Sequence, residues 1–324
     1  MAPFRPLFRN PHLQTIAGHY WRANHAAQSE TAVRRRFQTE PGVQVETLTN
    51  RPEGSASGEL VLVHGLEGSA EASYMERLSA AAVANGFAAH RFNLRTCGGT
   101  ERLAETLYHA GLTSDLLAVL RTLRAEGSPR LFLAGFSLGG NVVLKLAGEL
   151  GEAAPDLISG VVAVSTPLDL EVCSQRISHS SNRIYEMRFV RRMLARLRAT
   201  GRYSAADLAG MSTVRDIDER ITAPSFGFGD AANYYRTQSA IAFLNALRVP
   251  ALLIQARDDV FIPFEVFERP EVRSNPLIEV LVTDYGGHLG FLGRSPERFW
   301  SDAAIMDWIL TRNTVSQPAG WRVE

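Results

Sequence analysis

Ser137 stands in Gly135-Phe-Ser-Leu-Gly139, a G-x-S-x-G sequence, and Asp258, Asp259 and His288 follow it along the chain. A serine hydroxyl is a weak nucleophile until a base takes its proton and a carboxylate fixes that base. The order Ser, Asp, His, each after an apolar stretch, suits acyl transfer through a covalent intermediate. Ser137 is then the nucleophile and His288 the base, with Gly286, Gly287 and Gly290 letting its imidazole reach inward. The acid is one of two adjacent aspartates, Asp258 or Asp259, which should point in different directions because extended side chains alternate. Asp259 stands four residues before Pro263, the spacing of an acid in a strand-end turn, and is the favoured residue. Asp258 would brace the turn through its backbone.

These groups need elements that bring them to one edge. The apolar run Leu131 to Ala134 reads as a buried parallel strand, and helical spacing begins at Val142, so Ser137 falls on a sharp strand-to-helix turn. The competing reading makes Ser137 only a helix N-cap. Glu59 to Val63 reads as a second strand, running into His64-Gly-Leu-Glu-Gly-Ser69. The Leu66 and Leu138 backbone N–H groups are the candidate oxyanion donors. His64 precedes a glycine turn at a strand end and reads as a brace of that loop rather than as a base.

Around them the chain alternates strand and helix. Arg34 to Gln38 and Val43 to Leu48 predict a hairpin, and Phe87 to Asn93, Gly160 to Ser165, Pro250 to Gln255 and Ile278 to Val282 predict strands. Helices are expected over 70–85, Thr113 to Arg124 and Pro296 to Leu310. Residues 1–30 read as irregular, with Asn10 to Ile16 an arm across the fold. Residues 166–240 hold no strand pattern and read as a helical cap. Within them Arg183, Arg188, Arg191, Arg192, Arg196 and Arg198, with Ile184, Met187, Val190, Met193, Leu194 and Leu197 between, make a basic face that could bind an anionic substrate or a phospholipid surface; the favoured reading is a solvated helix face. The whole, 1–324, reads as a single α/β domain with 166–240 as its insertion.

Lys+Arg and Asp+Glu are equal at 34 each, which gives no net pull toward nucleic acid or an anionic membrane. The two cysteines, Cys97 and Cys173, lack metal-ligand spacing and read as reduced thiols. No secretory h-region or membrane-length apolar run is visible, so a cytoplasmic enzyme is expected.

Five stretches together resemble the YheT-like family of α/β hydrolases, related to the ABHD1/ABHD3 group. They are Asn10-Pro-His-Leu-Gln-Thr15, His64-Gly-Leu-Glu-Gly-Ser69, Gly135-Phe-Ser-Leu-Gly-Gly-Asn141, Gly229-Asp-Ala-Ala-Asn-Tyr-Tyr-Arg236 and Gly286-Gly-His-Leu-Gly-Phe291. The resemblance implies the α/β-hydrolase fold, a mostly parallel sheet with helices on both faces. It also implies a serine carboxylesterase-like activity with Ser137, Asp259 and His288 as charge-relay residues. The substrate would be a small-molecule or lipid-like ester, and no metal or organic cofactor is needed. Two departures stand out. Members often carry Arg-Gly where this chain has Arg95-Thr96. Eukaryotic relatives carry an N-terminal membrane anchor and act on phospholipids; no anchor is read here, so lipid activity is not carried over. The rivals are a catalytically silent binding module of the same fold and a thioesterase or lipase-like hydrolase.

Overall fold

The computed structural model describes residues 3–21, 32–294 and 297–313. Eight strands form one sheet in the order β1-β2-β4-β3-β5-β6-β7-β8. They are β1 (Val33–Glu40), β2 (Val43–Asn50), β3 (Gly58–Val63), β4 (Phe87–Asn93), β5 (Leu131–Phe136), β6 (Gly160–Val164), β7 (Ala251–Ala256) and β8 (Ile278–Thr283). β1 and β2 pair antiparallel, as does β2 with β4, and all other neighbours run parallel. β3 to β7 are buried on both faces, which is why β5 and β6 read as continuous apolar runs, while β3 and β4 bury Glu59, His90 and Arg91 among apolar neighbours.

Side-chain alternation splits the core in two. Leu60, Leu62 and Phe132 meet α2 (Ser73–Ala84) and the closing helix α8 (Trp300–Asn313) on one face. Val61, Val63 and Leu133 meet α3 (Ser114–Ala125) and α4 (Leu138–Leu150) on the other. Between β6 and β7 there are only helices, the longest being α5 (Leu170–Ile177), α6 (Arg183–Ala199) and α7 (Ala231–Gln238). Among the described residues no helix is long and apolar enough to cross a membrane.

Three expectations need correction. The N-terminal arm is a helix, α1 (Pro11–Tyr20), whose Asn10 side chain caps the Leu13 N–H with Pro11 at the first helical position. That Asn-Pro pair is a start signal, since the cap oxygen meets an orphan N–H and proline lacks one. Second, the arginines of α6 do not share one solvated face. Arg196 is buried, whereas Ile184 and Met187, apolar residues of the same run, are 82% and 60% exposed. Third, helix ends shift, to Ser73–Ala84 for the one expected over 70–85 and to Trp300–Asn313 for the last. Residues 295–296, where that last helix was expected to begin, lie outside the described residues.

Candidate active site

The strand ends of β3, β5, β7 and β8 open on one edge, and the expected residues gather there. Ser137 takes φ 51°, ψ −121°, a conformation rare for any residue with a Cβ. The surroundings enforce it. A Cβ at Gly135 would strike the Gly139 carbonyl, and one at Gly139 would strike the Val63 carbonyl, so strand, turn and helix can only pass this closely with glycine at both positions. The Ser137 N–H is tied to the Val164 carbonyl at 2.8 Å, and its Oγ faces His288 Nε2 at 3.0 Å. No side-chain cap bond forms at the start of α4, so the hydroxyl is directed at the imidazole and not spent as an N-cap.

On the other side of the ring, His288 Nδ1 lies 3.1 and 3.0 Å from the two Asp259 oxygens. A carboxylate only accepts, so Nδ1 carries the proton and Nε2 is left to accept from Ser137. Asp259 Oδ1 also accepts from the Phe261 and Ile262 N–H groups, which fixes the carboxylate plane. The Phe261 ring packs edge-on against the imidazole at 4.7 Å. Asp258 points elsewhere. Its Oδ1 accepts from the Gly287 N–H at 2.8 Å, so it braces the histidine loop and not merely its own turn. Burial raises the Asp258 carboxyl above the ordinary range, with the Asp259 charge adding to it against the Gly287 bond.

That loop is held from outside by α1. The His288 N–H donates to Thr15 Oγ1 at 2.9 Å, and Gln14 Nε2 donates to the Leu292 carbonyl at 2.8 Å. Gly287 turns at φ 54° directly beneath the Pro11 carbonyl and the Thr15 hydroxyl, where any Cβ would collide. The Asn10 to Thr15 motif, for which sequence alone gave no mechanism, therefore sets the position of the histidine.

The loop after β3 faces Ser137 from the opposite wall. The Gly65 N–H goes to Tyr74 Oη, the Glu67 N–H to Tyr108 Oη and the Gly68 N–H to the Gly65 carbonyl. Among the described residues no acceptor takes the Leu66 N–H, nor that of Leu138 in the first turn of α4. His64 sits under the loop as a neutral ring, donating from Nδ1 to the Gly65 carbonyl and accepting the Leu94 N–H at Nε2. Burial pushes its pKa down to about 4, so it stays uncharged.

Sequence reasoning missed the next layer. Glu67 takes φ 54° and Thr96 φ 63°, two left-handed non-glycine residues, and both are gripped by Arg196 of α6. Arg196 Nε donates to Glu67 Oε1 at 2.8 Å and Nη1 to Thr96 Oγ1 at 3.1 Å, while Tyr108 Oη donates to the same Glu67 oxygen at 3.0 Å. All four side chains are buried. Burial opposes the Arg196 charge, but Glu67 outweighs it and keeps the guanidinium charged. The Arg95-Thr96 departure thus has a structural partner: the Thr96 hydroxyl binds where a glycine would offer nothing.

Two arms leave the Ser137–His288 centre. One runs beneath α5, α6 and α7, with Leu170, Ile177, Met193, Tyr234 and Phe261 in its walls. The other runs outward between α1, the Gly65 to Ser73 loop and α6, past Arg188 and Arg192.

A model described as the Alpha/beta hydrolase family matches residues 60–302. The candidate esterase YheT of Escherichia coli (strain K12) is 32% identical over 324 residues, covering 96% of this chain and 94% of its own length. The monoacylglycerol lipase of Saccharomyces cerevisiae (strain ATCC 204508 / S288c) is 29% identical over 75% of this chain and 57% of its own. For phospholipase ABHD3 of Mus musculus the figures are 27%, 74% and 60%. Among solved structures, the Pyrococcus furiosus esterase Pf2001 superposes with a TM-score of 0.60 at 18% identity, covering 86% of this chain and 91% of that one. That likeness is one of fold.

Proposed function

The chain belongs to the alpha/beta hydrolase family, and from that premise we propose that it is a serine hydrolase that cleaves carboxylic esters through an acyl-enzyme. One observation carries the reading: Asp259, His288 and a strained Ser137 form a continuous hydrogen-bonded line at 3.0 to 3.1 Å. His288 Nε2 removes the Ser137 proton as Oγ attacks the acyl carbonyl. The Leu66 and Leu138 N–H groups hold the oxyanion, aided by the positive end of α4. The imidazolium then protonates the departing alkoxide. Water, deprotonated by His288, releases the acid and restores Ser137. Labelling by a fluorophosphonate at Ser137, together with turnover of p-nitrophenyl esters, tests the reading; an intact protein that neither reacts nor turns over refutes it.

Residues 166–240 act in this reading as a cap over the inner arm, which takes the acyl chain. Phe189→Ala or Met193→Ala should open that arm and raise activity on longer p-nitrophenyl esters relative to acetate by several-fold. Ile184→Ala and Met187→Ala, on the exposed side of the same helix, should leave the ratio alone. A common drop for every ester in the first pair would reduce the segment to a stabilising element.

Arg196 and Glu67 are positioning residues for the Leu66 donor. Breaking a buried ion pair from one side costs about 3–5 kcal/mol of stability. Here it should also release a strained turn that carries an oxyanion donor, and loss of one such donor costs about 10²–10³ in kcat. Arg196→Met should lower kcat by about 10² at equal folded concentration with KM for acetate esters little changed, and Arg196→Lys should restore part of it. Lost stability with an unchanged kcat would leave the pair a structural role only.

The two free cysteines are buried, Cys97 among the loop residues and Cys173 in the cap helix α5. Reduced, packed thiols support a cytoplasmic setting.

A further inference from the structure

Arg188, Arg192 and Arg196 recur at helical spacing along α6, on the side turned to the Ser137 centre. Their charges are treated differently. Arg196 is neutralised by Glu67. Among the described residues Arg188 meets only uncharged acceptors, donating to Tyr20 Oη at 3.0 Å and to His19 Nε2 at 2.9 Å. His19 is kept neutral by burial and by the two neighbouring arginines, its pKa pushed down to about 4. Arg192 has no hydrogen-bond or ion-pair partner among the described residues, although it lines the outer arm beside Ser69 and Ser73. Glu71 also lines the arm, and no ion pair joins it to either arginine among the described residues.

Two guanidinium groups one helical turn apart repel each other modestly, and cleft walls of low dielectric focus their field. Arg192 offers a whole planar fork suited to an oxyacid, and Arg188, with one N–H of each terminal nitrogen given to Tyr20 and His19, offers those that remain. The inner arm has the opposite character, with aromatic and aliphatic walls and its arginine already paired. We propose that the outer arm is an anion subsite, in which Arg192 and Arg188 bind a phosphate or carboxylate carried on the alcohol portion of the ester. This rests on the serine-hydrolase reading and adds the substrate class: an apolar acyl group on an anionic alcohol. The acyl chain enters under the cap, and the leaving alkoxide, protonated by His288, departs past the arginines.

The test compares short, freely dissolved substrates, so that no lipid surface takes part. Butyrylglycerol phosphate is set against monobutyrin, a carboxylated p-nitrophenyl butyrate against p-nitrophenyl butyrate, and an ester bearing its carboxylate on the acyl side serves as the reversed case. At low ionic strength at least one anionic alcohol should exceed its neutral counterpart about tenfold in kcat/KM, the scale of one charge-assisted hydrogen bond. The phosphate and carboxylate arms show which oxyacid is preferred. Arg192→Gln should bring the ratio down about tenfold, and Arg188→Gln should lower it less. Arg183→Gln and Arg191→Gln, which remove the same charge from exposed positions outside the arm, should not. Ratios near one in the wild type, preference for the acyl-side anion, or equal effects of Arg192→Gln and Arg191→Gln would each overturn the proposal. If no ester is cleaved at all, the serine-hydrolase reading fails on its own, and calorimetry decides the subsite separately. Glycerol phosphate should bind the Ser137→Ala protein and bind more weakly once Arg192→Gln is added; absence of binding refutes the subsite.

Discussion

Ser137→Ala should leave the protein folded and lower kcat by about 10³-fold or more on any ester the wild type cleaves. The structural half of this expectation follows from what the hydroxyl touches. Its contact is His288 Nε2, while the Ser137 N–H bond to the Val164 carbonyl is made by backbone and survives. Alanine keeps the Cβ, so the strain of φ 51° is unchanged and the elbow is neither relieved nor further distorted. The chemical half follows from the loss of the attacking atom. Binding and the two oxyanion donors remain, and they account for whatever residual rate persists. Circular dichroism and thermal unfolding verify the fold; ester turnover and fluorophosphonate labelling verify the loss. Undiminished turnover by the folded variant would end the serine-hydrolase reading. Ser137→Gly gives an internal check on strain. Glycine adopts positive φ freely, so this variant should be equally inactive yet at least as stable as the alanine one.

What could be read in advance and what could not divides along physical lines. The central parallel strands β5 and β6 announce themselves because burial on both faces leaves them apolar throughout, and a strand followed by a glycine turn is a local pattern. Ser137, Asp259 and His288 were legible for that reason: each is fixed by its own strand end, and the sheet brings the ends together. α1 was missed because its stability is tertiary. Its buried residues, Gln14, Thr15 and Gly18, are small or polar and give no apolar stripe, so a helix packed through Gly18 against Gly290 looks like a coil in sequence. Arg196 was missed for a different reason. α6 carries arginine on several faces, and periodicity cannot say which one meets a carboxylate 129 residues away in sequence. The exposure of Ile184 and Met187 follows from the same ambiguity. Positive φ at Glu67 and Thr96 is likewise invisible in the chain, since only glycine advertises that conformation.

Of the adjacent aspartates, Asp259→Asn should be the inactive variant and Asp258→Asn the active one. In the Asp259→Asn protein the Phe261 and Ile262 N–H groups still demand an acceptor, so the amide oxygen stays with them. The amide nitrogen is then turned toward His288 Nδ1, where a donor meets a donor. The ring escapes by moving its proton to Nε2, and that nitrogen can no longer take the serine proton. In the serine-protease precedent the same exchange costs on the order of 10⁴ in kcat near neutral pH. Asp258 stands in a different field. Asparagine there can still accept the Gly287 N–H through its oxygen, so the histidine loop keeps its brace. The exchange also removes a carboxylate whose second oxygen is buried without a hydrogen bond among the described residues and whose charge repels Asp259. Burial raises this carboxyl's pKa in the fold, which means the ionised form is disfavoured there. The folded protein therefore binds more protons than the unfolded chain just above the ordinary carboxylate range, and stability falls as pH rises through that window. Asp258→Asn abolishes this loss, so at neutral pH the variant should be no less stable than the wild type and turn over esters within a few-fold of it. Asp258→Ala, which cannot hold Gly287, should be less stable and slower. Kinetics and thermal unfolding of the three purified variants at equal folded concentration decide the matter. An inactive Asp258→Asn beside an active Asp259→Asn would move the acid by one residue and leave Ser137 and His288 in their roles.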